Sequence, residues 1–224
     1  MRTPQASLFR VELSRANWVA ESMLGENFVG ILCTDFYGVY TAHEDWQHAY
    51  CGAHLIREVK KIAEVDPGVF TESFRDKVGD WYANAKVTQQ SGTAKGKRDI
   101  CAALEKIINR PFFEHPEVLR VCARIEQHFT GVTLFVHHPK VPADNNATER
   151  DIRTIASYRR IMGGTRSEAG SDSLAHWKSI GQTRRKNGLS LPGYVVSVSS
   201  AHLHERVSTA TQPDGVGSGF AQVG

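Results

Sequence analysis

Two carboxylates in this chain stand where an open α/β protein would place an active site. Asp35 directly follows the apolar run over residues 29–34, which predicts a short buried strand. Glu149 follows Asn146 by three residues, a spacing typical of the first turn of a helix. Active sites gather at the carboxyl ends of strands, and one or two carboxylates commonly hold Mg²⁺ there. The pair therefore indicates a metal-dependent site.

Each carboxylate, taken alone, also has a simpler explanation. Asp35 fits a turn residue that accepts backbone hydrogen bonds, and by itself this is the better interpretation. Glu149 fits a capping box in which Asn146 is the N-cap and Glu149 stands at N3. Arg153 lies one helical turn beyond Glu149, so it would share a face with it and could pair with it or bind a phosphate.

A C-x-x-H sequence, formed by Cys51 and His54, is the third candidate. It supplies two ligands of the kind that bind zinc, but a structural zinc site needs four, and no second pair has suitable spacing. We therefore expect these two residues to form a structural motif, with a packing or hydrogen-bonding role at the start of a helix.

Basic residues are concentrated in the segment around and after Glu149. Residues 148–190 hold nine Lys or Arg against four Asp or Glu, whereas the whole chain has a net charge of only +3. This charge suits a phosphate-rich ligand, although a solvated helix face is the commoner reason for it. The candidate phosphate contacts are Arg150, Arg153, Arg159, Arg160, Arg184, Arg185 and Lys186.

The elements that must position these residues follow from the apolar spacing. Residues 28–33 predict a strand, residues 51–130 predict four successive helices, and residues 131–138 are ambiguous between strand and helix. Within the helical stretch, Asp66, Pro67 and Gly68 predict a helix stop, and residues 88–97 predict a polar loop. Asn187 and Gly188 predict the end of a later helix, and residues 193–206 predict a last short helix. A hydrophobic fraction of 41% is ordinary for a soluble domain, and no apolar run is long enough to span a membrane. Without a secretory signal after the first basic residues, we expect a cytoplasmic protein with no membrane partner.

Several of these segments, in this order, resemble motifs of the insertion sequence 66 family of bacterial transposases. The similarity extends over roughly residues 20–200. Each motif alone is moderately specific, and the strength of the resemblance comes from four motifs that occur in register. The matching segments are residues 30–40 (second-aspartate motif), 51–58 (C-x-x-H motif), 144–153 (glutamate motif), and 163–167 with 179–188, which resemble the region that follows the glutamate motif.

The resemblance implies a ribonuclease H-like core of the retroviral integrase type, interrupted by an all-helical insertion. It implies an Asp-Asp-Glu triad that binds two Mg²⁺ (or Mn²⁺) ions for DNA strand cleavage and transfer, with Asp35 as the second carboxylate and Glu149 as the third. Transposon ends and target DNA would be the partners of a nucleoid-associated enzyme that is a homo-oligomer at full length.

Combined with the element pattern, the resemblance divides the chain into four parts. We expect these to be a partial catalytic core (1–50), a helical insertion (51–130), the remainder of the core with the glutamate helix (131–206) and a disordered tail (207–224).

One part of the family pattern has no match, because residues 1–34 contain no aspartate. The family's first aspartate lies on an earlier strand, so we expect an N-terminally incomplete catalytic region that is inactive alone. The alternatives are a non-catalytic DNA-binding or oligomerising remnant and, as a weaker one, a two-carboxylate hydrolase acting on sugars.

Overall fold

The computed structural model describes residues 1–12, 17–25, 28–41, 43, 46–109 and 115–210. The chain divides into two compact units. We call residues 12–154 the carboxylate unit, because both candidate carboxylates lie in it. Residues 1–11, together with the residues from 155 onward, are called the basic unit.

The elements are mostly helices. The carboxylate unit contains α1 (Asn17–Leu24), β1 (Ile31–Thr34), α2 (Gly38–Thr41), β2 (Gln47–Tyr50), α3 (Gly52–Val65), α4 (Val69–Ser91), α5 (Ala94–Ile108), α6 (Pro116–Gln127), α7 (Phe129–His137) and the first half of α8 (Asn146–Met162). The basic unit contains the second half of α8, α9 (Glu168–Lys186) and α10 (Leu191–Ala210). None of these helices, over the residues described, is long and apolar enough to cross a bilayer.

The sheet is smaller than the predicted α/β core requires. Strands β1 and β2 pair in parallel, from Ile31 opposite Gln47 to Thr34 opposite Tyr50. Within the described ranges these two strands are the whole sheet, so the observed architecture is mostly helical with a small parallel sheet. Residues 131–137, which could have formed another strand, lie in a helix instead.

The core of the carboxylate unit lies among helices α3 to α7. Helix α3 presents Leu55, Val59 and Ile62 along one face, and α4 presents Phe74 and Val78 in the same helical spacing. These five side chains are buried in one hydrophobic cluster with residues of the other helices and of β2. Burying a side chain of this size stabilises a fold by about 1.5–3 kcal/mol, so this cluster is the main support of the unit.

Two departures from the sequence predictions lie in this unit. Residues 132–136 are all buried, so apolar spacing could not distinguish a strand from the helix α7 that they form. The loop suggested by the polar composition of residues 88–97 is confined to Gly92 and Thr93. Thr93 caps α5, because its hydroxyl accepts a hydrogen bond from the Gly96 N–H at 3.1 Å.

The basic unit is held together by polar contacts along α9. The predicted stop at Asn187 and Gly188 is confirmed: Gly188 has φ +67°, and the Leu189 N–H reaches back to the Arg184 carbonyl at 2.9 Å. Helix α10 continues to Ala210, past the end of the short helix predicted over residues 193–206. Residues 211–224, most of the predicted tail, lie outside the described residues.

Candidate functional site

Asp35 lies directly after β1, at the carboxyl end of the parallel strand pair. Its Oδ1 accepts a hydrogen bond from the Tyr37 N–H at 3.2 Å, which is the turn role that the simpler interpretation predicted. The Cys51 N–H donates to the Thr34 carbonyl at 2.8 Å, so the strand end beside Asp35 is joined to the start of α3. Asp35 and the C-x-x-H motif therefore share one edge of the sheet.

The residue after Asp35 is fixed by the helical part of the unit. The Phe36 ring stacks on Tyr50 with 4.5 Å between centroids and an interplanar angle of 2°. The Arg124 guanidinium of α6 also contacts the Phe36 ring, at 4.6 Å from its centroid. The same guanidinium donates a hydrogen bond to Glu58 of α3. This aromatic and ionic contact restrains the turn that carries Asp35.

Glu149 lies on the first turn of α8 and is bound by two side chains of α3. The Arg57 Nη2 donates to Glu149 Oε1 at 2.9 Å, and the His54 Nε2 lies 3.3 Å from the same oxygen. The Glu149 side chain is 27% exposed. The predicted capping box is not what the structure shows, because α8 begins at Asn146 and the carboxylate points to α3. Arg153, the partner considered from spacing, takes no part in these contacts.

Cys51 connects α3 to the segment that leads into α8. Its sulfur accepts a hydrogen bond from the Asn145 N–H at 3.2 Å, and the Gly52 N–H donates to the Ala143 carbonyl at 3.0 Å. The Tyr82 hydroxyl donates to the same carbonyl at 3.3 Å. A Cβ on Gly52 would lie 2.2 Å from the Tyr82 ring, so only glycine permits this packing. The C-x-x-H motif thus positions the glutamate helix.

The thiols near the site are protonated groups. Burial, with smaller contributions from Cys51 and Asp144, raises the pKa of the Cys33 thiol to about 12. Burial also raises the pKa of Cys51, against the lowering effect of the backbone N–H groups around its sulfur. Zinc binds thiolate, and among the described residues no group of three or more His, Cys, Asp or Glu side chains gathers. The arrangement therefore suits hydrogen bonding at Cys51 better than zinc binding.

The oxygen atoms at this edge fit a hard divalent cation in chemical type. Asp35 and Glu149 provide carboxylates, and three buried polar atoms nearby have no hydrogen-bond partner: Thr34 Oγ1, Asn145 Oδ1 and His54 Nδ1. Two of these three are neutral oxygens, which Mg²⁺ accepts alongside one or two carboxylates and water. Asp35 and Glu149 are thus the carboxylates available to such an ion, and among the described residues no third His, Cys, Asp or Glu side chain joins them in a group.

The candidate DNA contacts differ in how freely they reach solvent. Arg150, Arg153, Arg159 and Arg160 lie on α8 with exposed side chains, and Arg185 is exposed on α9. Arg184 instead donates to the Ser190 carbonyl at 2.9 Å and lies over the Tyr194 ring. Lys186 donates to the Thr3 and Ala6 carbonyls at 3.0 and 2.8 Å, so these two cations have structural roles.

Sequence reasoning missed Arg57 and Arg124. Arg57 lies 92 residues from Glu149 in the chain, and no spacing rule connects them. A signal was present nonetheless, since Arg57 follows His54 by three residues and therefore shares its face of α3. Arg124 gave no such signal, because its contact with Phe36 depends on how α6 packs.

Comparison with known proteins gives two matches. The model of a family described as "Transposase IS66 family" matches residues 1–173. A curated relative, "Uncharacterized protein y4jO" of Sinorhizobium fredii (strain NBRC 101917 / NGR234), is 26% identical over 153 residues, which are 66% of this chain and 46% of that protein. The chain therefore spans about half the length of this relative. No solved structure matches the chain.

Proposed function

The chain belongs to the IS66 family of transposases, and on that premise we propose that it is a catalytic region for DNA transposition by metal-dependent strand cleavage and transfer. The observation that carries the proposal is a series of contacts that links three family motifs. Asp35 follows β1, the Cys51 N–H donates to the Thr34 carbonyl, and the His54 Nε2 lies 3.3 Å from Glu149 Oε1. The proposed core is ribonuclease H-like, and the helices of residues 51–130 form its insertion.

In this proposal Asp35 and Glu149 are the second and third carboxylates of an Asp-Asp-Glu triad. They would hold Mg²⁺ or Mn²⁺, which supplies Lewis-acid stabilisation of the oxygens in an in-line phosphoryl displacement. Cys51 and Tyr82 hold the segment before α8 through hydrogen bonds to Asn145 and Ala143, and His54 contacts Glu149 on the first turn of α8. The contact of Phe36 with Arg124 does the same for the turn at Asp35.

The proposed DNA contacts are the exposed arginines Arg150, Arg153, Arg159, Arg160 and Arg185. Guanidinium groups suit phosphate because they can donate two hydrogen bonds at once. Arg184 and Lys186 would support the surface that presents Arg185 through their contacts within the basic unit. Transposon ends and target DNA are the proposed partners, and oligomers acting at the nucleoid are the proposed working form.

A second candidate is a non-catalytic DNA-binding protein of the same family. The observation that favours it is the ion pair of Glu149 with Arg57, which occupies one carboxylate oxygen. A protein of this kind would bind DNA through its arginines and would not depend on either carboxylate.

A plasmid assay distinguishes the two candidates. The full chain would be incubated with supercoiled plasmid and Mn²⁺, and nicking and DNA binding would be measured together. Catalysis by this chain, against the inactivity expected from the unmatched first aspartate, predicts nicking that Asp35→Asn and Glu149→Gln abolish while DNA binding persists. The second candidate predicts salt-sensitive binding with no nicking in any variant. Lys106→Gln, at the end of α5, is the charge control, since it lies outside the proposed DNA contacts.

Nicking that survives both carboxylate substitutions would contradict the proposed catalytic site. Binding that is insensitive to salt would contradict the arginine contacts, because each neutralised phosphate releases counterions and adds to the salt dependence.

A further inference from the structure

Two donors of α3 reach the same oxygen of Glu149. The Arg57 guanidinium lies 2.9 Å from Oε1 and the His54 Nε2 lies 3.3 Å from it. Oε2 makes no hydrogen bond or ion pair with any residue described in the structure. One oxygen is therefore neutralised by a fixed positive charge, and the other is left for a further ligand.

A guanidinium at this distance opposes a second cation on the same carboxylate. Coulomb repulsion between a divalent ion and a unit charge a few ångströms away lowers the affinity of the carboxylate for the ion. The Arg57 side chain is 55% exposed, and exposed ion pairs contribute little to stability. Arg57 can therefore leave Glu149 at little cost to the fold.

The Arg57 backbone is well anchored even though its head group is exposed. Helix α3 buries Leu55 and Val59 on either side of it, and the Arg57 Nε donates to the Ala53 carbonyl one turn back at 3.3 Å. Movement is thus confined to the end of a long side chain. The contrast is Arg124, which is only 24% exposed and is held by Glu58 and by the Phe36 ring.

We propose that Arg57 is a counter-ion that competes with the divalent cation for Glu149 and weakens cation binding for as long as it stays paired with the carboxylate. The inference rests on the proposed function, since it needs Glu149 to be a cation ligand. Its consequence is that the cation affinity of the free protein is set partly by Arg57. A DNA phosphate, which guanidinium binds readily, is the natural acceptor for the released side chain.

The experiment is a calorimetric titration of the full chain with Mn²⁺ alone, without DNA, at one pH and ionic strength. Arg57→Gln is expected to bind Mn²⁺ about tenfold more tightly than the natural chain, because the competing charge is gone. Arg57→Lys, which keeps the charge, is expected to bind as weakly as the natural chain. Arg120→Gln is the matched control, since Arg120 is equally exposed and pairs with Glu117 and Glu58 instead.

The outcomes separate this inference from the proposed function. Equal affinities of the natural chain and Arg57→Gln, with loss of binding in Glu149→Gln, would overturn the counter-ion role and leave the carboxylate site standing. Weaker binding by Arg57→Gln would also overturn it, because Arg57 would then orient the carboxylate. Binding unchanged in Asp35→Asn and Glu149→Gln, or no binding by any chain, would overturn the proposed cation site itself. Thermal unfolding of each variant shows that it is folded.

Discussion

The two units of this chain are built on different kinds of contact. The carboxylate unit has a continuous hydrophobic core, and nearly all of the buried apolar side chains described belong to it. In the basic unit, Ala175 is the one such residue among those described, and α9 is tied to residues 1–11 by hydrogen bonds. The comparison teaches that both proposed cation ligands belong to the unit with the hydrophobic core. The exposed arginines among the proposed DNA contacts lie on α8 and α9.

The largest effect is expected from a substitution in the hydrophobic core of the carboxylate unit. Phe135 on α7 is 2% exposed and contacts the rings of Trp81 and Tyr82. Phe135→Ala should lower the free energy of unfolding by about 3–5 kcal/mol, because it leaves a cavity in the core. Urea denaturation followed by circular dichroism measures this. Ile161→Ala in the basic unit, at a side chain 76% exposed, should change it by less than about 0.5 kcal/mol.

A smaller effect is expected at the ion pair beside Asp35. Glu58→Gln removes the carboxylate that Arg124 contacts and leaves a partly buried charge, so stability should fall by about 1–3 kcal/mol. Arg120→Gln, which changes an exposed partner of the same carboxylate, should cost less than about 0.5 kcal/mol. Equal losses for the two variants in urea denaturation would show that burial does not distinguish these pairs.

In the basic unit, the polar contacts of Lys186 are expected to matter locally. Lys186→Ala removes its hydrogen bonds to the Thr3 and Ala6 carbonyls, at a cost of about 1 kcal/mol. Limited proteolysis should then cut within residues 1–11 sooner, while the carboxylate unit stays intact. Arg185→Ala, at an exposed side chain, should leave the cutting rate unchanged. Faster cutting within α3–α7 of the Lys186 variant would contradict the division into two kinds of contact.

The smallest effect is a pH dependence that arises from His128 in the carboxylate unit. Burial, with the Arg124 and His48 charges, lowers the pKa of His128 below its ordinary value of 6.5. The unfolded chain therefore binds this proton first, so stability falls as pH drops through 6.5 and levels off below the folded pKa. Urea midpoints between pH 8 and pH 5 measure the slope, and His128→Gln should flatten it. An unchanged slope in this variant would assign the dependence to other groups.

The sequence predicted those features that depend on neighbouring residues. The stop at Asp66, Pro67 and Gly68 separates α3 from α4, and the glycine after Asn187 ends α9 as expected. Asp35 follows a strand, although β1 spans Ile31–Thr34 and not residues 28–33. In each case a backbone preference decides the outcome within a few residues, and such preferences can be read from the sequence.

Features that depend on packing between distant segments could not be predicted. Helix α7 is apolar on every side, so its sequence shows no helical period. Its place in the core depends on packing against β2 and α4, which the sequence does not reveal. Glu149 was assigned a local cap because its true partners, His54 and Arg57, lie about ninety residues earlier. Capping rules consider only residues close in sequence, so they cannot predict an ion pair with a distant segment.

The most direct test of the account is to map the cation site by iron-mediated cleavage. Fe²⁺ with ascorbate and peroxide would replace Mg²⁺ in the full chain, and the cut positions would be read by mass spectrometry. The account predicts cuts close to Asp35 and close to Glu149, suppressed by excess Mg²⁺ and lost in Glu149→Gln. Cuts that lie elsewhere in the chain, or that persist unchanged in Glu149→Gln, would contradict a cation site shared by these two carboxylates.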